Sequence, residues 1–305
     1  SRYRTAGSNH YVVGLTGCHA QGLGHELTAC TATATVLIFS GALATGNYSP
    51  TAAAYSITTP TGTYLGSLGI DFMDDYDANN DGTADLVVYS GTDGGIYGFY
   101  GPLPSGSSDS TSNADFTIST GGALQNYGVA NPVFALSNAG DFNGDGYEDL
   151  SVGNDGYDST FTNAGRASLY DGSATGVSGT AQVTITGAAT SDWVGRSTDG
   201  AGDVDGDGKE DWLVGAAGLD VGATGSGAVV LLYGTTSSLT IATGTLPSSG
   251  YAIWLGGSSN AALGQVVVGG ADVDGDGFSD FVMGSPGYTS GTSLGAVYTL
   301  LGTGQ

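Results

Sequence analysis

Four segments of the chain repeat one nine-residue cadence of oxygen-bearing side chains. They read Asp77-Ala-Asn79-Asn-Asp81-Gly-Thr83-Ala-Asp85, Asp141-Phe-Asn143-Gly-Asp145-Gly-Tyr147-Glu-Asp149, Asp203-Val-Asp205-Gly-Asp207-Gly-Lys209-Glu-Asp211 and Asp272-Val-Asp274-Gly-Asp276-Gly-Phe278-Ser-Asp280. Carboxylates or amides at positions 1, 3 and 5 can converge on one hard cation. Glycine at position 6 permits the sharp turn that brings the ends together. Position 7 (Thr83, Tyr147, Lys209, Phe278) offers its backbone carbonyl, and the aspartate at position 9 closes the cage. Oxygen-only coordination with flexible geometry is calcium chemistry, so the expectation is Ca2+ at four sites.

The residues after each loop constrain the fold. A helical calcium hand needs a glutamate at position 12 and a helix. Here short apolar runs come at once: Leu86–Tyr89, Leu150–Val152, Trp212–Val214 and Phe281–Met283. Such runs, bounded by glycine, read as buried strands. Each loop therefore joins two strands, and 56 glycines between short apolar runs point to an all-β chain.

The loop starts are 64, 62 and 69 residues apart. After each come a strand, a glycine-rich turn and a second strand (Ile96–Tyr100, Arg166–Tyr170, Ala228–Tyr233, Ala296–Leu301). A further strand is present in three units: Asp115–Ile118, Gln182–Ile185 and Tyr251–Trp254. The N-terminal region fits the same frame without a loop, through Tyr11–Leu15, Ala34–Phe39 and Ala54–Ile57. Self-similarity of this period marks a solenoid, propeller or array, and four strands per unit favour propeller blades. Five units result, at about 1–60, 61–120, 121–187, 188–256 and 257–305, in a single domain.

These residues resemble the FG-GAP repeats of the integrin alpha-subunit β-propeller and its bacterial relatives. In that family an inner strand with Phe-Gly enters the aspartate loop, and the next strand ends in Gly-Ala-Pro. Gly195–Asp203 and Gly264–Asp272 stand for the first part, and Gly215–Gly218 and Gly284–Gly287 for the second. Val194 and Leu263 replace the phenylalanine, and five units stand where the family's rings usually have seven. The resemblance implies an extracellular adhesion or binding module whose ligand is a protein, a glycan or a surface. A structural subunit of a filament or coat, with strand exchange between copies, is the alternative. A secreted carbohydrate-active enzyme or its accessory domain is a third reading.

Charge and composition bound these choices. The formal net charge is −24, and fourteen of the 29 acidic residues sit at ligand positions. Five Lys and Arg in no cluster exclude phosphate-backbone binding, so no nucleic acid partner is expected. The longest apolar stretch, around Val36–Phe39, is far too short for a bilayer, so no membrane insertion is expected. Cys18 and Cys30 are read as a disulfide in an oxidising, calcium-rich compartment. Zinc with His19 and His25, or free thiols, are the competing readings.

Catalysis finds little support. The three histidines (His10, His19, His25) all fall in the first 25 residues, and the one lysine, Lys209, belongs to a calcium loop. No catalytic residue is assigned and an enzyme is not expected, although carboxylate pairs for glycoside hydrolysis stay open. Trp212 and Trp254 fit the core, and Trp193 could face either way. Tyr48, Tyr157 and Tyr288 are surface candidates. At the ends, the fifth unit stops after its third strand and the first lacks an inner strand. Residues 1–9 are expected to supply a strand to the fifth unit, in cis as a latch or in trans to a neighbouring copy.

Overall fold

The computed structural model describes residues 2–5, 8–15, 35–40, 55–58, 76–89, 95–104, 107–119, 134–244, 249–290 and 293–303. Cys18, Cys30, His19, His25 and Tyr48 lie outside them, and so does the expected disulfide. The chain is all-β and divides into two compact units, residues 1–124 and 125–305.

Among its described residues the first unit holds two sheets. Strands β1 (Arg2–Thr5), β2 (Ser8–Leu15), β3 (Thr35–Ser40) and β4 (Tyr55–Thr58) pair antiparallel in sequence order. Strands β5 (Leu86–Tyr89), β6 (Gly95–Phe99) and β8 (Phe116–Ser119) form the second sheet. Between β6 and β8 the chain makes β7 (Ser107–Ser110), which pairs with β4 in parallel. A strand from the path of the second sheet thus covers the outer edge of the first. Tyr55 and Ile57 meet Leu86, Val88 and Phe99 in the core between the two sheets.

The N-terminal strand departs from expectation. Arg2–Thr5 is hydrogen-bonded to β2, with Thr5 opposite Ser8, and is an end strand of the first sheet, preceding β2. It is not the outer strand of the fifth unit. Two residues separate Thr5 from Ser8 in sequence, so the pairing is local. Local closure over two residues loses little chain entropy, which favours this pairing over a distant one.

The second unit repeats the pattern with the aspartate loops in place. Its third sheet is β9 (Phe134–Gly140), β10 (Asp149–Asn154), β11 (Arg166–Tyr170) and β12 (Val183–Thr186). The fourth is β13 (Val194–Gly202), β14 (Asp211–Ala216), β15 (Ala228–Leu232) and, after an intervening strand, β17 (Tyr251–Leu255). The intervening strand β16 (Leu239–Ala242) pairs in parallel with β12. The device seen in the first unit recurs. Last come β18 (Val266–Ala271), β19 (Asp280–Ser290) and β20 (Ser293–Leu300), a sheet with no fourth strand among the described residues.

These three sheets stack face to face. Ala167, Leu169, Val183 and Ile185 pack on Trp212, Val214, Val230 and Leu232. Leu213, Val229 and Leu231, on the opposite face of the fourth sheet, pack on Val267, Phe281 and Met283. Every residue of β10 and β14 is buried, and apart from the acidic or amide residues at their ends the runs are apolar or small. Glycine sets the approach distance. A Cβ on Gly153 would lie 2.3 Å from the Gly195 carbonyl oxygen, and one on Gly215 would lie 2.1 Å from that of Gly264. The glycines at both ends of the repeat motif thus touch across consecutive sheets.

Candidate metal centres

Each aspartate loop leads directly into a strand, and the last three also follow one; all four are folded by their own side chains. The position 1 carboxylate accepts the position 6 amide: Gly82 on Asp77 at 2.7 Å, Gly146 on Asp141 at 2.8 Å, Gly208 on Asp203 at 3.0 Å and Gly277 on Asp272 at 3.0 Å. The position 5 carboxylate accepts the position 7 amide, from Thr83, Tyr147, Lys209 and Phe278 at 2.9 to 3.0 Å. Such side-chain to backbone bonds are the local chemistry that aspartate and asparagine favour in turns. Positions 4 and 6 both take positive φ. At position 4 stand Asn80 at 54° and Gly144, Gly206 and Gly275 at 76 to 82°. Asparagine is among the few residues that tolerate this region, so Asn80 fits where the other loops have glycine.

Position 9 has a role that sequence reasoning missed. Its Oδ2 accepts the position 2 amide, from Ala78, Phe142, Val204 and Val273 at 2.7 to 3.1 Å. Its Oδ1 accepts the amide of the glycine that ends the third strand of the unit. These bonds run from Gly101 to Asp85 at 2.9 Å, Gly172 to Asp149 at 2.8 Å, Gly234 to Asp211 at 2.9 Å and Gly302 to Asp280 at 2.8 Å. One carboxylate thus ties the loop entrance to a strand end 16 to 23 residues away. The recurring glycine after each third strand was the signal for it. A Cβ there would meet the Glu148 carbonyl oxygen at 2.2 Å in the case of Gly172.

All four position 9 aspartates are buried. Burial pushes Asp149 up to about 8, against the pull of its amide bonds, with Asp171 and Asp145 adding repulsion. Burial likewise raises Asp85 and Asp211 to about 7. Asp280 goes the other way, held below the usual carboxylate value by the amides of Gly302 and Val273. Little protein surrounds the last sheet, so desolvation there is weaker than the two hydrogen bonds.

The loops differ in how their oxygens gather. Asp203, Asp205 and Asp211 bring carboxylate oxygens within 4.8 Å of one another, and so do Asp272, Asp274 and Asp276. Among the described residues these are the two such clusters of acidic side chains. Asp207 is drawn aside by Lys209, whose Nζ lies 2.6 Å from its Oδ2. In the first two loops an amide takes position 3 and bridges to position 5, from Asn79 to Asp81 at 3.2 Å and from Asn143 to Asp145 at 3.0 Å. A second residue missed from sequence stands beside the loop at 141–149. Asp171, raised by burial and by Asp145, has a buried Oδ1 with no hydrogen-bond partner among the described residues.

The oxygen-only, carboxylate-rich donor sets suit a hard divalent cation. Bound there, calcium would neutralise the converging charges and lock loop and strands together.

The aromatic candidates sort by environment. Trp212 is fully buried and donates its indole N–H to Ser151 Oγ at 2.7 Å. Trp254 is half-buried with its ring edge-on to Phe281, 5.1 Å between centroids. Trp193 is exposed, with φ of 51°. Tyr157 is half-buried beneath the Arg166 guanidinium, 4.1 Å from the ring centroid, and Tyr288 lies edge-on to Tyr298. Among the described residues no helix is long and apolar enough to cross a membrane.

Antiparallel sheets built on a recurring strand–aspartate loop–strand unit are the class that fold and site define. The FG-GAP repeat family model matches residues 134–170 and 263–300, the third sheet through β11 and the last sheet. The chain therefore carries FG-GAP repeats at these two positions. No curated protein matches it.

Proposed function

We propose that this chain is an extracellular, calcium-stabilised binding module, a β-propeller of five FG-GAP-type blades whose loops engage a protein, glycan or surface ligand. The observation that carries the calcium reading is the convergence of three aspartate carboxylates at each of two loops within matched or neighbouring repeats. The ligands are positions 1, 3, 5, 7 and 9 of each loop, with the position 7 carbonyl among them. The FG-GAP match supports adhesion and a surface location, since such repeats serve extracellular binding. The ions act structurally and no catalytic role is assigned. Calorimetric titration of chelator-stripped protein should give four calcium ions per chain and a higher unfolding midpoint. A stoichiometry of zero with an unmoved midpoint would sink the calcium reading. Screening calcium-loaded protein against immobilised glycans and matrix proteins, with chelated protein as control, tests the binding role.

A second reading, a subunit of an extracellular filament or coat, is favoured by one observation. Among the described residues the last sheet has exposed valines on one face and no strand beyond β20.

A further inference from the structure

The aspartate loops of the second unit are bonded to one another. The amide of Glu210, at position 8 of its loop, donates to the carbonyl of Asp141, position 1 of the loop before it, at 3.1 Å. The amide of Ser279 donates to the Asp203 carbonyl in the same way at 3.0 Å. The later pair has a further bond, from the Thr303 amide to the Val204 carbonyl at 3.1 Å. Side chains keep the same register. A Cβ on Gly144 would lie 3.2 Å from Lys209 Cγ, and one on Gly206 would lie 2.5 Å from Phe278 Cε1. The position 7 side chain of each later loop thus lies over the position 4 glycine of the loop before it.

Both partners in the recurring bond belong to residues assigned as ion ligands. The acceptor is the backbone of Asp203, whose carboxylate is the position 1 ligand of its loop. The donor is the N–H of the peptide group between Phe278 and Ser279, and the C=O of that same group is the position 7 ligand of the next loop. In a trans peptide the N–H and C=O point in opposite directions. The bond to Asp203 therefore fixes which way the Phe278 carbonyl faces. The N–H becomes a stronger donor when its own carbonyl ligates a cation, because linked dipoles reinforce one another. With 203–211 filled, Asp203 is held in place and the acceptor with it. Ordering already achieved at one loop is not required again at its neighbour, which favours the second ion.

We propose that calcium binding at 203–211 and at 272–280 is positively cooperative, coupled through the Ser279–Asp203 bond and the Phe278 ring on Gly206. This rests on the calcium reading above and adds a regulation of those sites to it. Two features single out this pair. Each of its loops gathers three carboxylates, and Thr303 adds the second backbone bond. In the earlier pair the bridging side chain is Lys209, a flexible stem whose Nζ turns back to Asp207. Repulsion between the two ions opposes the coupling. Packed sheets lie about 10 Å apart, and at about 0.15 M salt that exceeds a Debye length, so the short-range bonds dominate.

Nuclear magnetic resonance tests this at each site separately, through the amides of Gly208 and Gly277, which bond the position 1 carboxylates. Chelator-stripped protein titrated with calcium at about 0.15 M salt should give curves steeper than hyperbolic at both glycines. Asp205→Asn/Asp207→Asn should keep 203–211 empty over the range in which 272–280 fills, and lower the affinity read at Gly277 by at least about fivefold. Asp274→Asn/Asp276→Asn should lower the affinity read at Gly208 by the same factor, because coupling between binding sites is reciprocal. Asparagine keeps an oxygen for the loop's own bonds, as Asn79 and Asn143 do at position 3. Phe278→Ala and Thr303→Pro retain every assigned ligand atom, and should shrink the coupling while both sites still fill. If a variant misfolds, the shapes of the wild-type curves decide. Hyperbolic wild-type curves, or affinities unmoved by the neighbour's substitution, would overturn the coupling and leave the calcium reading standing. No calcium-dependent shift at either glycine would overturn both.

Discussion

The loops at 141–149 and 272–280 share their aspartates at positions 1, 5 and 9 and the same two amide bonds to position 9, yet they behave differently. The first closes beside the interface between the third and fourth sheets, and burial lifts Asp149 to about 8. The second sits on the last sheet, and its amides hold Asp280 below the usual carboxylate value. The motif fixes the hydrogen bonds, while the surrounding protein fixes which protonation state they stabilise. The exposed loop instead gathers Asp272, Asp274 and Asp276, where the buried one has Asn143 and leans on Asp171.

The largest expected effect separates the two position 9 residues. Asp149→Ala strands the buried amides of Phe142 and Gly172, and a buried unsatisfied amide costs about 1–3 kcal/mol, so a loss of about 3 kcal/mol is expected. Asp280→Ala should destabilise less, since the Val273 amide it frees lies on an exposed residue that water can reach. Chemical denaturation of metal-free protein measures both, and equal losses would remove the contrast.

Calcium removal should act on the exposed loop first. Hydrogen exchange after chelation should accelerate more in residues 272–303 than in 149–154, because three like charges converge there with little protein around them. Uniform acceleration would mean that the loops open as one unit.

Asp171→Asn should weaken calcium at the 141–149 loop by several-fold and leave the 272–280 loop unchanged. Calorimetry on the variant reads this as one weakened site among four. An unchanged isotherm would show that Asp171 is only a neighbour.

The smallest effect is on pH. With its folded value raised above that of the unfolded chain, Asp149 binds more protons folded than unfolded between about pH 4 and about 8. Metal-free protein should therefore gain stability on acidification from about pH 8 to about 5, by a few degrees in midpoint. Asp85 and Asp211 act in the same sense. Asp280, being depressed, contributes stability that is lost only at lower pH. Asp149→Asn should flatten the profile between pH 5 and about 8, whereas Asp280→Asn should leave it intact. Saturating calcium should reverse the trend, because protons then compete with the ion.

Much of this protein was determined locally. Residues Leu86–Tyr89 and Arg166–Tyr170 are strands at the expected bounds, because short apolar runs between glycines have one good conformation. The loops fold as their cadence dictates, since aspartate, asparagine and glycine bond their own backbone within five residues. What only the tertiary structure decided depends on groups far apart in the chain. The amides that reach position 9 come from glycines 16 to 23 residues onward. The parallel strands β7 and β16 were not foreseen, because Ser107–Ser110 carries no apolar alternation and each strand is defined by the edge it covers. Arg2–Thr5 was sent to the wrong sheet for the same reason: a four-residue strand holds too little pattern to name its partner. The amount of protein around each loop, which sets Asp149 and Asp280 apart although both are buried from water, belongs to the packed sheets, and no nine-residue motif encodes it.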